Sequence, residues 1–177
     1  LMDSALSPSG LHWKCAVAFA DDCCVFSPTF DQHLSDLQGV FDAFRKIGIH
    51  LKARKCKFAV SSVGYLGHVV STDGVRPDPA KVKSILECKF SSRSDIRHFV
   101  GMASYYRKFI PKFADVARPL TNFIASRKPW KGLTDAMRSS VVKLQDALTS
   151  EPILAHPDFS LPFEIQCDAS PVAIACT

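Results

Sequence analysis

Residues 63–82 read "VGYLGHVVSTDGVRPDPAKV", and the change of pattern inside this stretch decides the fold. Up to Ser71 the run is rich in Val and Tyr and reads as strand. Thr72, Asp73 and Gly74 form a turn signal. Asp78 followed by Pro79 is a helix N-cap with proline at the first helical position, where the missing N–H would have no partner anyway. The chain therefore passes from strands to helices, with a composition boundary between residues 72 and 80.

On the N-terminal side, "CAVAFADDCCVF", residues 15–26, places Ala20, Asp21 and Asp22 between two short apolar runs. This reads as a β-hairpin with the carboxylates at its tip. In "TFDQHLSDLQGVFDAFRKIG", residues 29–48, Thr29 and Gln32 have capping-box spacing, Leu34, Leu37, Phe41 and Phe44 share a helical face, and Gly48 is the stop. "KARKCKFAV", residues 52–60, reads as a further strand.

On the C-terminal side, Val82, Ile85 and Leu86 form a helical stripe. Ser92 and Asp95 offer a second capping box, followed by the stripe Ile96, Phe99, Val100, Ala103 and Tyr106, with Pro111 ending the helix. Residues 114–126 and 134–150 read as two more helices, the latter with Met137, Val141, Leu144 and Leu148 on one face. Prolines cluster at 151–162, and "FEIQCD" then alternates as a strand ending on Asp168. The order is mixed α/β, then mostly helical, then the opening strand of a new unit.

The 177 residues are 47% hydrophobic and 22% charged, the balance of a packed protein, not a disordered tail. A net charge of +5 permits nucleic-acid binding without requiring it. Seven cysteines, with no C-x-x-C pair and no Cys/His cluster at zinc spacing, read as free thiols in a reducing compartment. No apolar run approaches the ~20 residues of a membrane span, and no signal peptide is visible, so an intracellular chain without membrane contact is expected. A start at Leu1 and an end in "PVAIACT" read as cuts through a longer protein.

Two carboxylates ~6 Å apart repel by roughly 3 kcal/mol at an effective dielectric of about 20. A basic side chain, a divalent cation or plain solvation can offset that, and the dipeptide alone leaves all three open. Gly101 lies inside a helix with Tyr105 four residues on, which suits either a bare patch laid against a duplex or close helix packing beside a core tyrosine. The basic run Arg45, Lys46, Lys52, Arg54, Lys55 and Lys57 suits phosphate contacts or a solvated face, as do Arg107 and Lys108. His68 stands without a Cys or His at ligand spacing and reads as a packing or grip residue.

With these residues laid out, the chain closely resembles the reverse transcriptase of Gypsy-type LTR retrotransposons. "FADDCCVFSPTFDQHLSDL" resembles the family's Tyr-x-Asp-Asp block and the run that follows it. "LKARKCKF", "GYLGHVVSTDGVRPDPAKV", "FVGMASYYRKFIPKFADVARPLT", "ALTSEPILAHPDF" and "FEIQCDAS" match later blocks in order. The resemblance implies an α+β fold: a partial polymerase palm of β-hairpins plus helix over residues 1–72, a helical thumb over 73–128, a connection over 129–160, and the start of a ribonuclease H-like α/β domain over 161–177. It implies that Asp21 is a ligand of catalytic Mg²⁺ or Mn²⁺ and that Asp22 is the second carboxylate. It implies that Tyr65, Leu66, Gly67 and His68 are a primer grip, and that Gly101 and Tyr105 lie against a duplex. Arg54 and Lys55 would contact phosphates. Asp168 resembles the first carboxylate of a ribonuclease H site, present only as a remnant.

The implied partners are an RNA/DNA template-primer duplex, deoxynucleoside triphosphates and the remainder of a Pol polyprotein, in the cytoplasm or in virus-like particles. The family's other palm aspartate lies upstream of the Asp-Asp hairpin and is absent from this chain, and Phe19 replaces the motif tyrosine, removing its hydroxyl. These 177 residues alone are therefore expected not to polymerise DNA. The alternative is a non-catalytic nucleic-acid-binding remnant of a decayed or domesticated element.

Overall fold

The alternating apolar runs at 15–26 pair as antiparallel strands β1 (Ala16–Phe19) and β2 (Asp22–Val25), with Ala16 opposite Val25 and Phe19 opposite Asp22. The computed structural model describes residues 2–7, 9–150, 152–165, 167–170 and 173–176. A short helix, α1 (Met2–Leu6), precedes the hairpin, and α2 (Phe30–Lys46) follows it. Leu6, Ala16, Val40 and Phe44 close a small core between these pieces.

Thr29 caps α2 by accepting from the Gln32 amide. The reciprocal half of the expected box is replaced: the Gln32 amide group donates to Asp36 Oδ1 at 2.9 Å. The expected apolar face is rotated toward Val40 and Ala43, and Leu34 stays 53% exposed because the buried contacts gather in the last three turns. Gly48, at φ +73, ends the helix with its amide on Arg45 O.

Residues 52–60 are not a strand. Ala53–Lys55 form a 3-10 turn, and the residues after it run unpaired among the described elements. Four basic side chains within six positions repel one another, which works against an extended paired strand.

The stretch 63–71, expected as one strand, is two: Leu66 and Gly67, both at positive φ, turn the chain back on itself, while the Thr72–Gly74 turn and the Asp78 helix start lie where the pattern puts them. Strands β3 (Ser62–Tyr65), β4 (His68–Ser71) and β5 (Gly74–Pro77) form a three-stranded antiparallel sheet, turning at Leu66–Gly67 and at Thr72–Asp73. Helix α3 (Pro79–Leu86) starts at Asp78, whose carboxylate accepts from the Ala80 amide at 2.9 Å. The sheet therefore runs across residue 72, and the strand-to-helix change comes at Asp78.

Helix α4 (Arg93–Tyr105) carries the full capping box of Ser92 and Asp95. A 3-10 turn, Arg107–Phe109, separates it from Pro111. Helices α5 (Phe113–Ala125) and α6 (Asp135–Thr149) complete a second, larger core, in which Ile85, Ile96, Phe99, Leu120 and Leu144 are fully enclosed. The face Met137, Val141, Leu144, Leu148 of α6 is buried as its spacing requires.

Arg93 ties α4 to the end of α5. Its guanidinium donates to the carbonyls of Phe123 (2.8 Å), Ile124 (3.0 Å), Ser126 and Lys128, and stacks 4.6 Å from the Phe123 ring centroid. A cation there also suits the negative end of the helix dipole.

Beyond α6, Leu154 pairs with Val75 through two 2.8 Å backbone hydrogen bonds and extends the sheet edge. The expected strand at 163–168 starts later: Phe163 and Ile165 are exposed outside any strand, and β6 (Cys167–Ser170) pairs with β7 (Ala173–Cys176). Among the described residues no helix is long and apolar enough to cross a membrane. Cys15, Cys23, Cys24, Cys56, Cys88 and Cys167 are thiols, and burial, foremost, pushes the Cys23 thiol up to about 11.

Candidate active site

The register of β1 and β2 makes Ala20 and Asp21 the two turn residues and Asp22 the first residue of β2. The tip is sharper than expected, because one carboxylate comes from the turn and the other from the strand end. Ala20 holds φ +52, a left-handed conformation that costs a non-glycine residue about 1–2 kcal/mol. Both aspartates are exposed, and among the described residues no Lys or Arg forms an ion pair with either. Exposed charges are screened by solvent, so the pair is tolerated at an open tip. The donor set is oxygen only, which suits a hard cation such as Mg²⁺ or Mn²⁺. Among the described residues no cluster of three or more His, Cys, Asp or Glu side chains could hold a metal ion, so the two aspartates stand as a pair.

The β3–β4 hairpin reaches the first hairpin at the middle of β1. The Tyr65 hydroxyl donates to Val17 O, in β1, at 3.5 Å. Leu66 (φ +47) and Gly67 (φ +69) form a two-residue turn with both φ values positive, the geometry whose twist matches the flanking strands. Glycine at 67 answers a second demand as well. A Cβ there would lie 3.3 Å from Tyr106 Oη and 3.4 Å from Tyr105 Cε1. The bare backbone of Gly67 thus admits helix α4.

His68 is a packed residue. Its ring sits against Tyr105, Tyr106 and Phe109 at centroid distances of 5.4, 5.5 and 5.8 Å. Nδ1 lies 2.7 Å from Leu66 O, and a carbonyl only accepts, so Nδ1 carries the proton. Nε2 is buried without a partner among the described residues. A second proton there would be a buried, unsatisfied charge. Burial, foremost, and the Lys108 ammonium hold the His68 pKa below the usual imidazole value, against the opposing effect of the Leu66 hydrogen bond.

Tyr105 and Tyr106 bring the end of α4 onto this turn. The Tyr105 hydroxyl donates to Leu66 O at 2.6 Å and the Tyr106 hydroxyl to Gly67 O at 2.8 Å. Tyr106 was expected only as part of the core stripe. Its polar tip was the available signal, since a buried tyrosine hydroxyl needs a partner.

Gly101 is exposed, and a Cβ there would meet nothing within 4 Å, so close helix packing is not its reason. It lies on an open face of α4 in a shallow concavity with Ser94, Arg97, His98 and Met102. Tyr105 remains 55% exposed, although its hydroxyl is committed to Leu66. Arg54 and Lys55 are exposed in the 3-10 turn, and among the described residues neither forms an ion pair. Arg45 of the same basic run is bonded to Asp42 at 2.6 Å, so it is not a free cation. Asp168 lies in β6 opposite Ala175, and its side chain lies outside the described residues.

Two family patterns match the chain: "Reverse transcriptase (RNA-dependent DNA polymerase)" over residues 1–70 and "RNase H-like domain found in reverse transcriptase" over residues 133–177. The chain is 35% identical over 174 residues to the retrovirus-related Pol polyprotein from transposon 297 of Drosophila melanogaster, an alignment covering 98% of this chain and 16% of that protein. It is 37% identical over 172 residues to the Pol polyprotein from transposon opus of the same organism, covering 91% of this chain and 17% of that protein. The Tf2-3 polyprotein of Schizosaccharomyces pombe is 30% identical over 159 residues, covering 89% of this chain and 12% of the relative. The chain thus spans roughly a sixth or less of the length of these curated relatives. In fold it is similar to the foamy viral protease-reverse transcriptase solved with double-stranded DNA, at TM-score 0.81 and 19% identity, covering 96% of this chain and 30% of that one. A second structure of that viral protein, solved with an RNA/DNA hybrid, superposes at TM-score 0.78 and 19% identity, covering 96% and 23% of the two chains. Residues 1–70 thus carry the reverse transcriptase pattern and residues 133–177 the RNase H-like pattern found in reverse transcriptases, and the relatives that the chain matches along most of its length are Pol polyproteins of retrotransposons.

Proposed function

We propose that the chain is part of an RNA-directed DNA polymerase, with residues 1–72 in its palm, 73–128 in its thumb, 129–160 in the connection and 161–177 opening a ribonuclease H-like domain. The observation that carries this reading is the exposed Asp21–Asp22 tip, tied through Tyr65 and Val17 to the hairpin whose turn receives α4. The reaction is attack of a primer 3′-hydroxyl on the α-phosphate of a deoxynucleoside triphosphate, with pyrophosphate leaving. Asp21 and Asp22 would hold Mg²⁺ or Mn²⁺, joined by a carboxylate from sequence outside these residues. Bound there, the cation supplies charge neutralisation at the transferred phosphoryl group.

The chain's own residues have distinct tasks. The Leu66–Gly67 turn grips the primer end, and the Gly101 face of α4 lies along the template-primer duplex. Arg54 and Lys55 contribute phosphate contacts without sequence preference. Asp168 would be the first carboxylate of the ribonuclease H-like site.

The test grafts residues 13–177 onto the fingers–palm half of a related polymerase and measures RNA-templated primer extension with Mg²⁺ or Mn²⁺. The graft should extend primers, Asp21→Asn should reduce extension to background, and residues 1–177 alone should give none. Extension that survives Asp21→Asn overturns the metal-ligand role. The second reading is a non-catalytic nucleic-acid-binding remnant, favoured by Phe19, which offers no hydroxyl at the motif's tyrosine position. A graft that binds duplex but never extends it selects that reading.

A further inference from the structure

The carbonyls of Leu66 and Gly67 lie beyond the β3–β4 ladder, which closes at the Tyr65–His68 pair. Each nevertheless receives two donors. Leu66 O accepts from His68 Nδ1 at 2.7 Å and from the Tyr105 hydroxyl at 2.6 Å. Gly67 O accepts from the Asp78 amide at 3.1 Å and from the Tyr106 hydroxyl at 2.8 Å. One donor of each pair is local to the sheet and its exit into α3. The other comes from the end of α4, 39 residues further along the chain. Consecutive helical residues point about 100° apart, yet these two hydroxyls end on adjacent carbonyls of one turn. Leu66 sits there in a left-handed conformation that a β-hairpin normally gives to Asn, Asp or Gly. Such a conformation persists only where its surroundings over-determine it.

We infer that Tyr105 and Tyr106 are positioning residues. Through their hydroxyls α4 holds the Leu66–Gly67 turn in its strained form, so that the duplex-facing helix and the turn move as one piece. Burial, foremost, pushes the Tyr106 phenol up to about 12, so it stays a donor across the working pH range. The functional consequence rests on the primer-grip reading of the turn. A turn fixed by α4 registers a recessed 3′ end, and a turn released from α4 binds duplex without registering its end.

The test uses the 177-residue chain and its Tyr105→Phe and Tyr106→Phe variants, which keep both rings. Residue-resolved hydrogen exchange is followed at the His68 and Asp78 amides, with the amides of α6 as the measure of global stability. Each variant should speed exchange at the turn by about five- to tenfold relative to α6, the effect of one lost hydrogen bond. Turn exchange that merely follows α6 in both variants overturns the inference. Tyr105, half exposed, provides the usable variant should Tyr106→Phe fail to fold.

The second arm compares affinity for a duplex with a recessed 3′ end against a blunt duplex of equal length, across salt concentrations. The unaltered chain should prefer the recessed end. Both variants should shrink that preference severalfold and leave the salt slope unchanged, because phosphate contacts set the slope. A preference retained despite a loosened turn also overturns the inference. A chain that binds neither duplex refutes the primer-grip reading instead, and the exchange arm still decides what the tyrosines do.

Discussion

Gly74 opens β5 at φ +133, backbone that L side chains rarely adopt. A Cβ there would fall on the Leu154 carbonyl oxygen and lie 2.9 Å from Ile153 Cγ2. Gly74→Ala therefore sets the turn against the segment after α6. The alanine cannot be accommodated by rotating a side chain, because the obstacle is backbone. The chain must give up the docking of Leu154. That loses two backbone hydrogen bonds at 2.8 Å, about 1 kcal/mol each. It also loses the 2.7 Å bond from His156 Nε2 to Ser71 O and part of the Leu154 burial, about 2 kcal/mol together. Released residues regain about 1 kcal/mol of backbone entropy each, which offsets roughly half of this. Strain at an alanine with φ +133 adds about 1–2 kcal/mol. The net expectation is a loss of about 3 kcal/mol, most of it local. Urea unfolding gives the global part, and amide exchange at Val75 and Leu154 gives the local part. Both amides should lose their protection while α6 keeps its own. If Gly74→Ala leaves both protected and costs less than about 0.5 kcal/mol, the close approach of Gly74 to Leu154 is not the reason for the glycine.

Arg93→Met should cost about 2–3 kcal/mol in urea unfolding, since a charged donor group to four carbonyls is lost, and Arg93→Lys should fall between, because an ammonium cannot reproduce the fork; a cost below about 0.5 kcal/mol for Met would refute the stapling role. His68 has a lowered folded-state pKa, so the unfolded chain takes up its proton first as pH falls: stability is full above the ordinary imidazole value and declines on acidification below it. Measured from pH 8 to pH 5, His68→Asn should flatten that decline, and an unchanged slope would rule His68 out as its source. Ala20→Gly should raise stability by about 0.5–1 kcal/mol by relieving the left-handed strain at the Asp21 turn, and a loss in thermal unfolding would show that the strain is absent.

Much of the helical half was legible because its signals are local. Asp78–Pro79, the Ser92–Asp95 box and the 137–148 stripe each need only a few neighbouring residues to work, and each folds as read. The strand expected at 52–60 failed for the opposite reason: a strand needs an edge to pair with, and sequence patterning does not supply one. Leu34 shows the same limit in a helix, since periodicity identifies a face but not how far the covering core extends along it. At the candidate site the Asp21–Asp22 tip was legible as a local hairpin, whereas the turn between Tyr65 and His68 was hidden inside an apolar run that reads as one strand. The role of Tyr106 was not legible either, because its partner Gly67 lies 39 residues away and nothing in the spacing connects them. The closeness of two tyrosines to Gly67 was hidden for the same reason.

The three-stranded sheet explains why such distant contacts matter here. Its strands are four residues each, at the short end of the usual range, and a sheet of three such strands needs packing against other elements to be stable. It is held from outside by Tyr65 on Val17, by Tyr105 and Tyr106 on the β3–β4 turn, by the rings of Tyr105, Tyr106 and Phe109 against His68, and by Leu154 on Val75 and His156 on Ser71. Most of these contacts are polar, whereas global stability resides in the apolar core of α3 to α6, which the sheet meets at His68 and Val75. The two can therefore be separated by mutation. Leu144→Ala should remove about 2–5 kcal/mol of stability through a cavity among fully enclosed neighbours, yet leave the turn where it is in the folded molecules. Tyr106→Phe removes one oxygen and should shift the turn with far less loss of stability. If the two variants disturb the turn equally at matched folded fraction, sheet and core form one cooperative unit, and the grip has no adjustment independent of folding.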